Sequence, residues 1–287
     1  MLAIYKKELR SYFNSMIGYV FIAFFLLIIG IFFTVYNFFY GYADFEYTLS
    51  STTFIFALLI PLLTMRVIAE ENRQKTDQLL LTAPISATSI VLGKLLALVT
   101  IFVLPMLITC FYPLILSKYG VVTFSTAYVG ILAFTLLGAA YLSIGLFISS
   151  LTESQVVAAV ISFGVFLFTI LMDGISSMLP SNYKSAVFIF TALILVLCFI
   201  LYRMMHNLTL SVILGLLIEA GLLLIYILKP TLLDGSVANI FGWLSVTTRF
   251  TNFDMGILDV SALVYYISVI GLFSFLTVQV IKKKRWS

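Results

Sequence analysis

Residues 66–94 read RVIAEENRQKTDQLLLTAPISATSIVLGK and form the longest charged and polar passage of the sequence. Apolar runs flank this passage, one ending at Met65 and the other resuming at Leu95. Its charged side chains lie close together: Glu70, Glu71, Arg73, Lys75 and Asp77. Because charged side chains are costly in hydrocarbon, this pattern predicts a water-exposed loop between two membrane spans. We expect this loop, residues 66–94, to lie in the cytoplasm and to contact another protein.

The rest of the sequence has the composition of a membrane protein. Of its 287 residues, 62% are hydrophobic and 10% are charged, and the mean hydropathy is +1.17. Soluble domains typically spend about a quarter of their residues on charge. The net charge of +4 is too small to indicate nucleic-acid binding. We therefore expect an integral membrane protein with the lipid bilayer as its surroundings and no nucleic-acid partner.

Gaps between charged residues predict about eight membrane-spanning helices. The predicted spans are 17–39, 52–68, a stretch between 94 and 118 kinked by its two prolines, 126–149, 155–171, 185–202, 208–228 and 262–281. Residues 1–15 repeat apolar side chains (Leu2, Tyr5, Leu9, Tyr12 and Met16) at helical spacing among basic ones, which predicts an interfacial helix. The fold class is therefore all-α, a polytopic helical bundle with an N-terminal interfacial helix.

Two further stretches are predicted to lie outside the spans. Asp173-Gly174 and Pro180 predict an aqueous loop after the fifth span. Residues 229–259 contain Pro230 and Asp234-Gly235 and are too broken to span, so we expect an external re-entrant or interfacial segment.

The distribution of basic residues predicts the orientation of the chain. With about eight spans, one side carries Lys6, Lys7, Arg10, Arg66, Arg73, Lys75, Lys94, Arg203, Lys282, Lys283, Lys284 and Arg285. The other side carries Lys118, Lys184, Lys229 and Arg249. Loops rich in lysine and arginine stay in the cytoplasm. We expect both termini and residues 66–94 to be cytoplasmic.

The sequence lacks the residue patterns of common enzymes. Gly93-Lys94 has neither the earlier glycine nor the following hydroxyl residue of a phosphate-binding loop. Two cysteines, Cys110 and Cys198, and a single histidine, His206, are too few and too scattered for a catalytic metal site. We expect a chain that is not an enzyme and that binds no cofactor or metal of its own.

Glu219 is an acidic residue well inside a predicted span. A carboxylate within the bilayer is costly, and by default it marks a functional site. A transport role for Glu219 and a hydrogen-bonded structural role both remain open at this point.

Several segments, in order along the chain, resemble the permease subunits of ABC-2 type transporters, in particular the subfamily associated with gliding motility and copper-enzyme maturation. The opening KKELRSYFNSMIGYVF is similar to that subfamily's N-terminal elbow and first span. The segment from Met65 to Lys94 is similar to its loop between the second and third spans, and GAAYLSIGLFISSLTESQVVA at 138–158 to its fourth and fifth spans. The ending, from Phe253 onward, is similar to its last external segment and span.

The sequence departs from the family in two places. Lys75 stands where the family commonly has glycine, just before the threonine of the loop. Residues 185–228 form an extra helical hairpin beyond the usual six spans. Glu219 lies in that hairpin, so the resemblance gives it no role.

The resemblance implies an ABC-2 fold like that of type V exporters, in one permease domain over residues 1–287. It implies a separate ABC ATPase subunit that binds ATP and Mg and docks on the loop. The docking and coupling residues would be Glu70, Glu71, Arg73, Thr76, Asp77, Leu80 and Pro84. A second permease chain, identical or a related paralogue, would complete the path, and an accessory membrane or extracytoplasmic protein is a further expected partner. We expect export across a bacterial cytoplasmic membrane.

Two other functions remain open. A secondary transporter would use Glu219 as its proton carrier and would need no ATPase. A membrane scaffold without transport would tolerate substitutions throughout residues 66–94. The chain's 27 Phe and 16 Tyr favour a hydrophobic or amphipathic substrate.

Overall fold

The computed structural model describes residues 1–76, 85–178, 182–205, 208–229, 233–254, 257 and 259–286, and this part of the chain is built from helices. The predicted all-α polytopic bundle is confirmed. The helices are α1 Leu2–Asn14, α2 Ile17–Phe33 continued by a π-helical stretch Thr34–Phe39, α3 Phe45–Ser51, α4 Ile55–Thr64, α5 Ala69–Gln74, α6 Ala87–Thr109, α7 Tyr112–Leu116, α8 Phe124–Leu151, α9 Gln155–Met178, α10 Tyr183–Met205, α11 Leu208–Leu228, α12 Ser236–Leu244, α13 Thr251–Asp254 and α14 Val260–Trp286.

Among the described residues, five helical stretches are long and apolar enough to cross a membrane. They are Ile17–Phe39, Ala87–Leu116, Phe124–Leu151, Gln155–Met178 and Val260–Arg285. A bent pair of helices counts as a sixth if it forms one span. The apolar stretches Tyr183–Cys198 and Ile213–Leu228 are shorter. The count of about eight spans therefore stays a prediction.

A bend lies at the start of the second predicted span, 52–68. Phe45–Ser51 and the helical stretch Ile55–Gln74 meet at 65°. At the bend, the hydroxyl of Thr52 donates to the Leu49 carbonyl at 2.8 Å and that of Thr53 donates to the Ser50 carbonyl at 2.9 Å. Such side-chain bonds compete with the helical backbone ladder and favour a bend.

The aqueous loop predicted from Asp173-Gly174 and Pro180 is wrong at Asp173 and Gly174, because α9 continues through both residues to Met178, while Pro180 lies outside the described residues. A single interior glycine costs a helix only about 1 kcal/mol, which the apolar surroundings of the helix overcome. The two prolines predicted to kink the third span lie in different structural positions. Pro105 lies inside α6, whereas α6 ends at Thr109 and Pro113 is the second residue of α7.

The N-terminal helix turns sharply into the first span. Ser15 ends α1, and Met16 takes a left-handed conformation with φ of 60° before α2 begins at Ile17. The buried residues of α1 are Ile4, Glu8 and Tyr12. The predicted apolar stripe included Leu2 and Met16, but both are exposed. The buried face is shifted because it contains Glu8, which has a buried partner described below.

Two compact units make up the chain, and the first comprises Met1–Phe168 and Arg249–Ser287. Its core surrounds α8, which packs against α3, α4, α6 and α14. Glycines permit the closest approaches: a Cβ at Gly138 would overlap the ring of Phe102, and one at Gly145 would overlap the side chain of Thr64. Small residues in this span were predicted to form a packed face, and this is confirmed.

The second unit comprises Thr169–Thr248. In it α10 packs along α11 and also contacts α12. Ala186, Leu233 and Val237 form a small buried cluster, and the backbone N–H of Tyr183 donates to Asp234 Oδ1 at 2.9 Å. The predicted division into an elbow, a coupling loop, a hairpin and an external segment stays a prediction.

Candidate functional site

A buried lysine joins three elements at one end of the first unit. Lys94 lies near the start of α6, and only 1% of its side chain is exposed. Its ammonium nitrogen lies 2.9 Å from Glu8 Oε1 of α1 and 2.8 Å from Glu71 Oε2 of α5. It also donates to the Val67 carbonyl at 2.8 Å. A buried ammonium needs such compensation, and here three oxygens supply it.

Lys7 completes this arrangement at the surface. Its Nζ lies 2.8 Å from Glu71 Oε1, so Glu71 is held between two ammonium groups. Partial burial acts to lower the pKa of Lys7, but the hydrogen bond and the negative charge of Glu71, together with Glu8, outweigh it and raise that pKa. Lys7, Glu8, Glu71 and Lys94, which we call the charge cluster, balance in charge.

Arg66 forms a second connection between α1 and the polar segment. Its Nε lies 3.1 Å from Glu70 Oε2, and its Nη1 donates to the Ser15 hydroxyl at 3.1 Å. Its guanidinium carbon stands 5.5 Å from the ring centroid of Tyr12, within cation–π distance. The hydroxyl of Tyr12 donates to the Leu63 carbonyl at 2.5 Å. The end of α1 is therefore held against the end of α4.

The close approach of α1 to α6 depends on Gly93. A Cβ at this position would lie 3.1 Å from the Met1 carbonyl oxygen and 3.2 Å from Ile4 side-chain atoms. This spacing lets Glu8 reach the ammonium of Lys94. The adjacent pair Gly93-Lys94 thus has a structural role: Gly93 allows α1 to approach α6, and Lys94 pairs with Glu8.

The start of α5 is tied to the end of α8. The Ser149 hydroxyl oxygen accepts from the backbone N–H groups of Ile68 and Ala69 at 3.2 and 3.1 Å. These are N–H groups that a helix start leaves without intrahelical partners. The Asn72 side chain donates to the Thr152 carbonyl at 3.3 Å. The first half of the polar segment is therefore fixed to the core.

A Schellman motif ends α5 at Lys75. The N–H of Thr76 donates to the Glu71 carbonyl at 3.0 Å, and that of Lys75 donates to the Asn72 carbonyl at 3.2 Å. Lys75 has φ of 56°, a left-handed conformation that glycine adopts most easily. The position where the family commonly has glycine is thus one where the backbone favours glycine.

The basic end of α14 lies near the same end of the unit. Lys284 donates to the Ser150 carbonyl at 2.9 Å, and Arg285 donates to the Ile85 carbonyl at 3.2 Å. Ser150 is next to the serine that holds α5. The N-terminal helix, the polar segment and the C-terminal residues are consequently gathered on one side.

Lys7, Glu8 and Glu71 of the charge cluster, together with Arg66, border an open polar cleft of about 470 Å³. Its lining comes from one face of α1 and from residues 66–76. In the described part of the chain, no three histidine, cysteine or acidic residues are grouped so that they could hold a metal. The arrangement is suited to protein contact and to transmission of movement between helices.

The predicted docking residues lie in different surroundings. Arg73 is exposed, while Glu70 and Thr76 are partly exposed, and all three border or adjoin the cleft. Glu71 instead turns inward to Lys94, and 14% of its side chain is exposed. Asp77, Leu80 and Pro84 lie outside the described residues.

The sequence prediction missed the importance of Lys94 and Glu8. Lys94 was counted as one of the basic residues on the cytoplasmic side, and Glu8 was given no role. A signal was present, because Glu8 is the acidic residue of a basic helix and Lys94 is a lone charge within an apolar stretch. Nothing in the sequence connected them across 86 positions.

Glu219 lies on α11 in the second unit, apart from these residues along the chain. Its Oε1 accepts a hydrogen bond from the Thr191 hydroxyl of α10 at 2.8 Å. This contact crosses the hairpin formed by the two helices.

The family model described as "ABC-2 family transporter protein" matches residues 2–280. No curated protein matches the sequence.

Proposed function

The chain belongs to the ABC-2 family of transporter proteins, and from this we infer that movement of an ATPase enters it through the polar segment 66–94. Membership makes the chain a multi-pass membrane permease of an ABC transporter, a transport component that works with an ABC ATPase subunit. We propose that ATP and Mg bind on that partner. Among the described residues, Glu70 and Arg73 are the ones on which we expect docking, and Asp77, Leu80 and Pro84, outside the described residues, are proposed to extend the docking segment.

The observation that carries this proposal is the burial of Lys94 between Glu8 and Glu71. If α5 moved without α1 and the start of α6, the buried opposite charges of Lys94 and its two glutamates would be separated. This separation is costly, so the three elements are expected to move together. Docking on residues 70–84 would therefore shift the N-terminal helix α1 and the third span together. A shift of packed spans is the kind of movement that switches a path between inward and outward states.

The remaining features of the transporter are part of the same proposal. A second permease chain, identical or paralogous, completes the path, and the substrate is hydrophobic or amphipathic and is exported. The membrane is the bacterial cytoplasmic membrane, with both termini and the polar segment on the cytoplasmic side. Support for this orientation comes from the basic residues that α1, residues 66–76 and the end of α14 bring to one side of the unit.

For Glu219 we propose a structural role as a carboxyl group that is hydrogen-bonded to Thr191 within the hairpin. Transport by a Glu219→Gln variant decides between this role and proton coupling. Wild-type transport is expected, because glutamine can accept the same hydrogen bond. Loss of transport with normal amounts of protein would favour a proton-coupled carrier instead.

The docking proposal is tested by gentle purification of the tagged protein from its native membrane and mass spectrometry of what accompanies it. Wild type should bring down a P-loop ATPase. A Glu70→Lys/Arg73→Glu variant, which leaves the charge cluster intact, should lose it. Lys118→Glu, an exposed charge reversal outside the polar segment, serves as the matched control and should retain it. Equal recovery of the ATPase with both variants would contradict docking at this face.

A further inference from the structure

A second cavity lies next to the polar cleft and has the opposite character. It is a groove of about 380 Å³ between residues 15–24, at the turn from α1 into α2, and residues 59–65 at the end of α4. Ser15 is the polar residue among those that line it. Met16, Val20 and Leu62 on its walls are all exposed, so the groove opens sideways from the protein. At the end of a spanning helix, that opening faces the acyl chains of the bilayer.

The groove and the cleft meet at Arg66 and Ser15. The Ser15 hydroxyl lines the groove and bonds to Arg66, whose side chain lines the cleft. A guanidinium group has five N–H donors. Within the described part of the chain, Glu70, Ser15 and Ser11 engage three of them. Donors therefore remain at the point where apolar lining changes to polar lining.

The local charge favours an anion at this point. The helix α1, residues 66–71 and Lys94 together carry five basic side chains, Lys6, Lys7, Arg10, Arg66 and Lys94, and three carboxylates, Glu8, Glu70 and Glu71. Lys6 and Arg10 are exposed on the interfacial helix. Exposed basic residues on such a helix attract anionic lipids. An apolar groove with a positive end matches the two parts of an anionic phospholipid.

We propose that this groove is a binding site for an anionic phospholipid of the leaflet in which α1 lies. One acyl chain occupies the groove against Val20 and Leu62. The phosphate accepts hydrogen bonds from Arg66, and the basic residues of α1 surround the headgroup. The lipid fills the space between α1, the first span and the end of α4. Since Arg66 also contacts the polar segment, the site joins the membrane surface to that segment.

The experiment is native mass spectrometry of the detergent-purified full-length chain with added palmitoyl-oleoyl phosphatidylglycerol. Phosphatidylcholine with the same acyl chains is the comparison lipid. Neither ATPase nor nucleotide is present, so the result does not depend on the proposed transport function. The groove variant is Leu62→Trp, with Leu58→Trp as its control one turn earlier on α4. The two leucines are 48% and 49% exposed, and Leu58 does not line the groove.

The charge variant is Arg66→Gln, with Arg73→Gln as a control that removes one positive charge from the same segment. Wild type should bind phosphatidylglycerol at least about tenfold more tightly than phosphatidylcholine. Leu62→Trp and Arg66→Gln should each weaken phosphatidylglycerol binding by about tenfold, while the two controls bind as wild type. The two variants change different parts of the site, so misfolding of one of them would not by itself explain weaker binding by both.

Three results would overturn the proposal. Equal binding of the two lipids would show that the basic residues at the end of the groove do not select an anionic headgroup. Unchanged binding by Leu62→Trp would place any bound lipid elsewhere. Loss of a dimer by Leu62→Trp with unchanged lipid binding would make the groove a contact between two copies of the chain.

Discussion

Lys94 is expected to be the most sensitive charged residue of the first unit. Lys94→Met keeps the length of the side chain but removes the ammonium, which leaves buried Glu8 with only the more distant ammonium of Lys7, at 3.8 Å. Breaking one side of a buried ion pair typically costs about 3–5 kcal/mol. We expect a loss of unfolding free energy of this size, measured by thermal or denaturant unfolding of the purified protein.

The matched control removes both charges. In a Glu8→Gln/Lys94→Met double variant, Glu71 keeps its contact with Lys7 at 2.8 Å. No buried carboxylate then lacks a close positive partner, so the double variant should have a larger unfolding free energy than Lys94→Met alone. A double variant that is less stable than the single one would refute the pairing.

Lys75→Gly should stabilise the protein. The left-handed conformation of Lys75 at the end of α5 costs a residue with a side chain about 1 kcal/mol or more relative to glycine. The larger backbone entropy of glycine in the unfolded chain offsets part of this gain. We expect a small rise in the midpoint of thermal unfolding, and a clear fall would contradict the assigned Schellman motif.

At the scale of residues, the sequence predicts which charged residues lie in the polar segment, but it does not predict which of them form ion pairs. The sequence suffices to identify Glu70 and Arg73 as polar-segment residues, because each stands among other charges. It does not reveal that Glu71 turns inward, since adjacent residues on a helix face different ways and the partner is distant along the chain. The glycine preference at position 75 became explicable only when the backbone angle was known.

At the scale of elements, α8 should be intolerant of added volume. Gly138→Ala and Gly145→Ala would place a methyl group into Phe102 and Thr64, respectively. Overpacking a close contact typically costs about 1–3 kcal/mol. We expect each variant to lose unfolding free energy in this range, measured as for the lysine variants.

Gly164 on α9 supplies the control, because a Cβ there meets nothing within 4 Å. In an exposed helix interior, Gly→Ala usually stabilises by up to about 1 kcal/mol. Gly164→Ala should therefore be neutral or stabilising. Equal losses in all three variants would mean that helix packing around α8 is not as described.

Helices bounded by charges could be located well from the sequence, while breaks within apolar stretches could not. The first span was predicted at 17–39 and the helical stretch is Ile17–Phe39; the seventh was predicted at 208–228 and α11 is Leu208–Leu228. The bend between α3 and α4 was missed because no charged residue or proline stands at it; Thr52 and Thr53 lie there instead. The end of α9 was misplaced because one Asp-Gly pair was weighed above the helical stretch around it.

At the scale of the whole molecule, orientation is open to a direct test. Native Cys110 and Cys198 are replaced by serine, and single cysteines are introduced as Lys75→Cys and Lys118→Cys. Both sites are exposed. A membrane-impermeant thiol reagent added to intact cells should label the Lys118→Cys protein and spare the Lys75→Cys protein. The reverse pattern would place the polar segment outside the cell.

Fold class and family were accessible from the sequence because they depend on features spread over the whole chain. A mean hydropathy of +1.17 requires a bilayer around most of the surface, and helices satisfy backbone hydrogen bonds there. The family match over residues 2–280 agrees with segments recognised in order along the chain. The resemblance to one subfamily within that family stays a prediction.

The position of Lys94 in the chain has a consequence for how the protein is made. A lysine within a spanning helix opposes insertion into the bilayer, by about 2.5–3.5 kcal/mol at the helix centre and less near its end. Synthesis proceeds from the N-terminus, so Glu8 and Glu71 have both left the ribosome before Lys94 emerges. Both carboxylates have therefore been synthesised before the third span inserts into the membrane. A circular permutant that begins after residue 76 would have to insert this lysine first, and its biogenesis would be slower or less complete even if the finished contacts were identical.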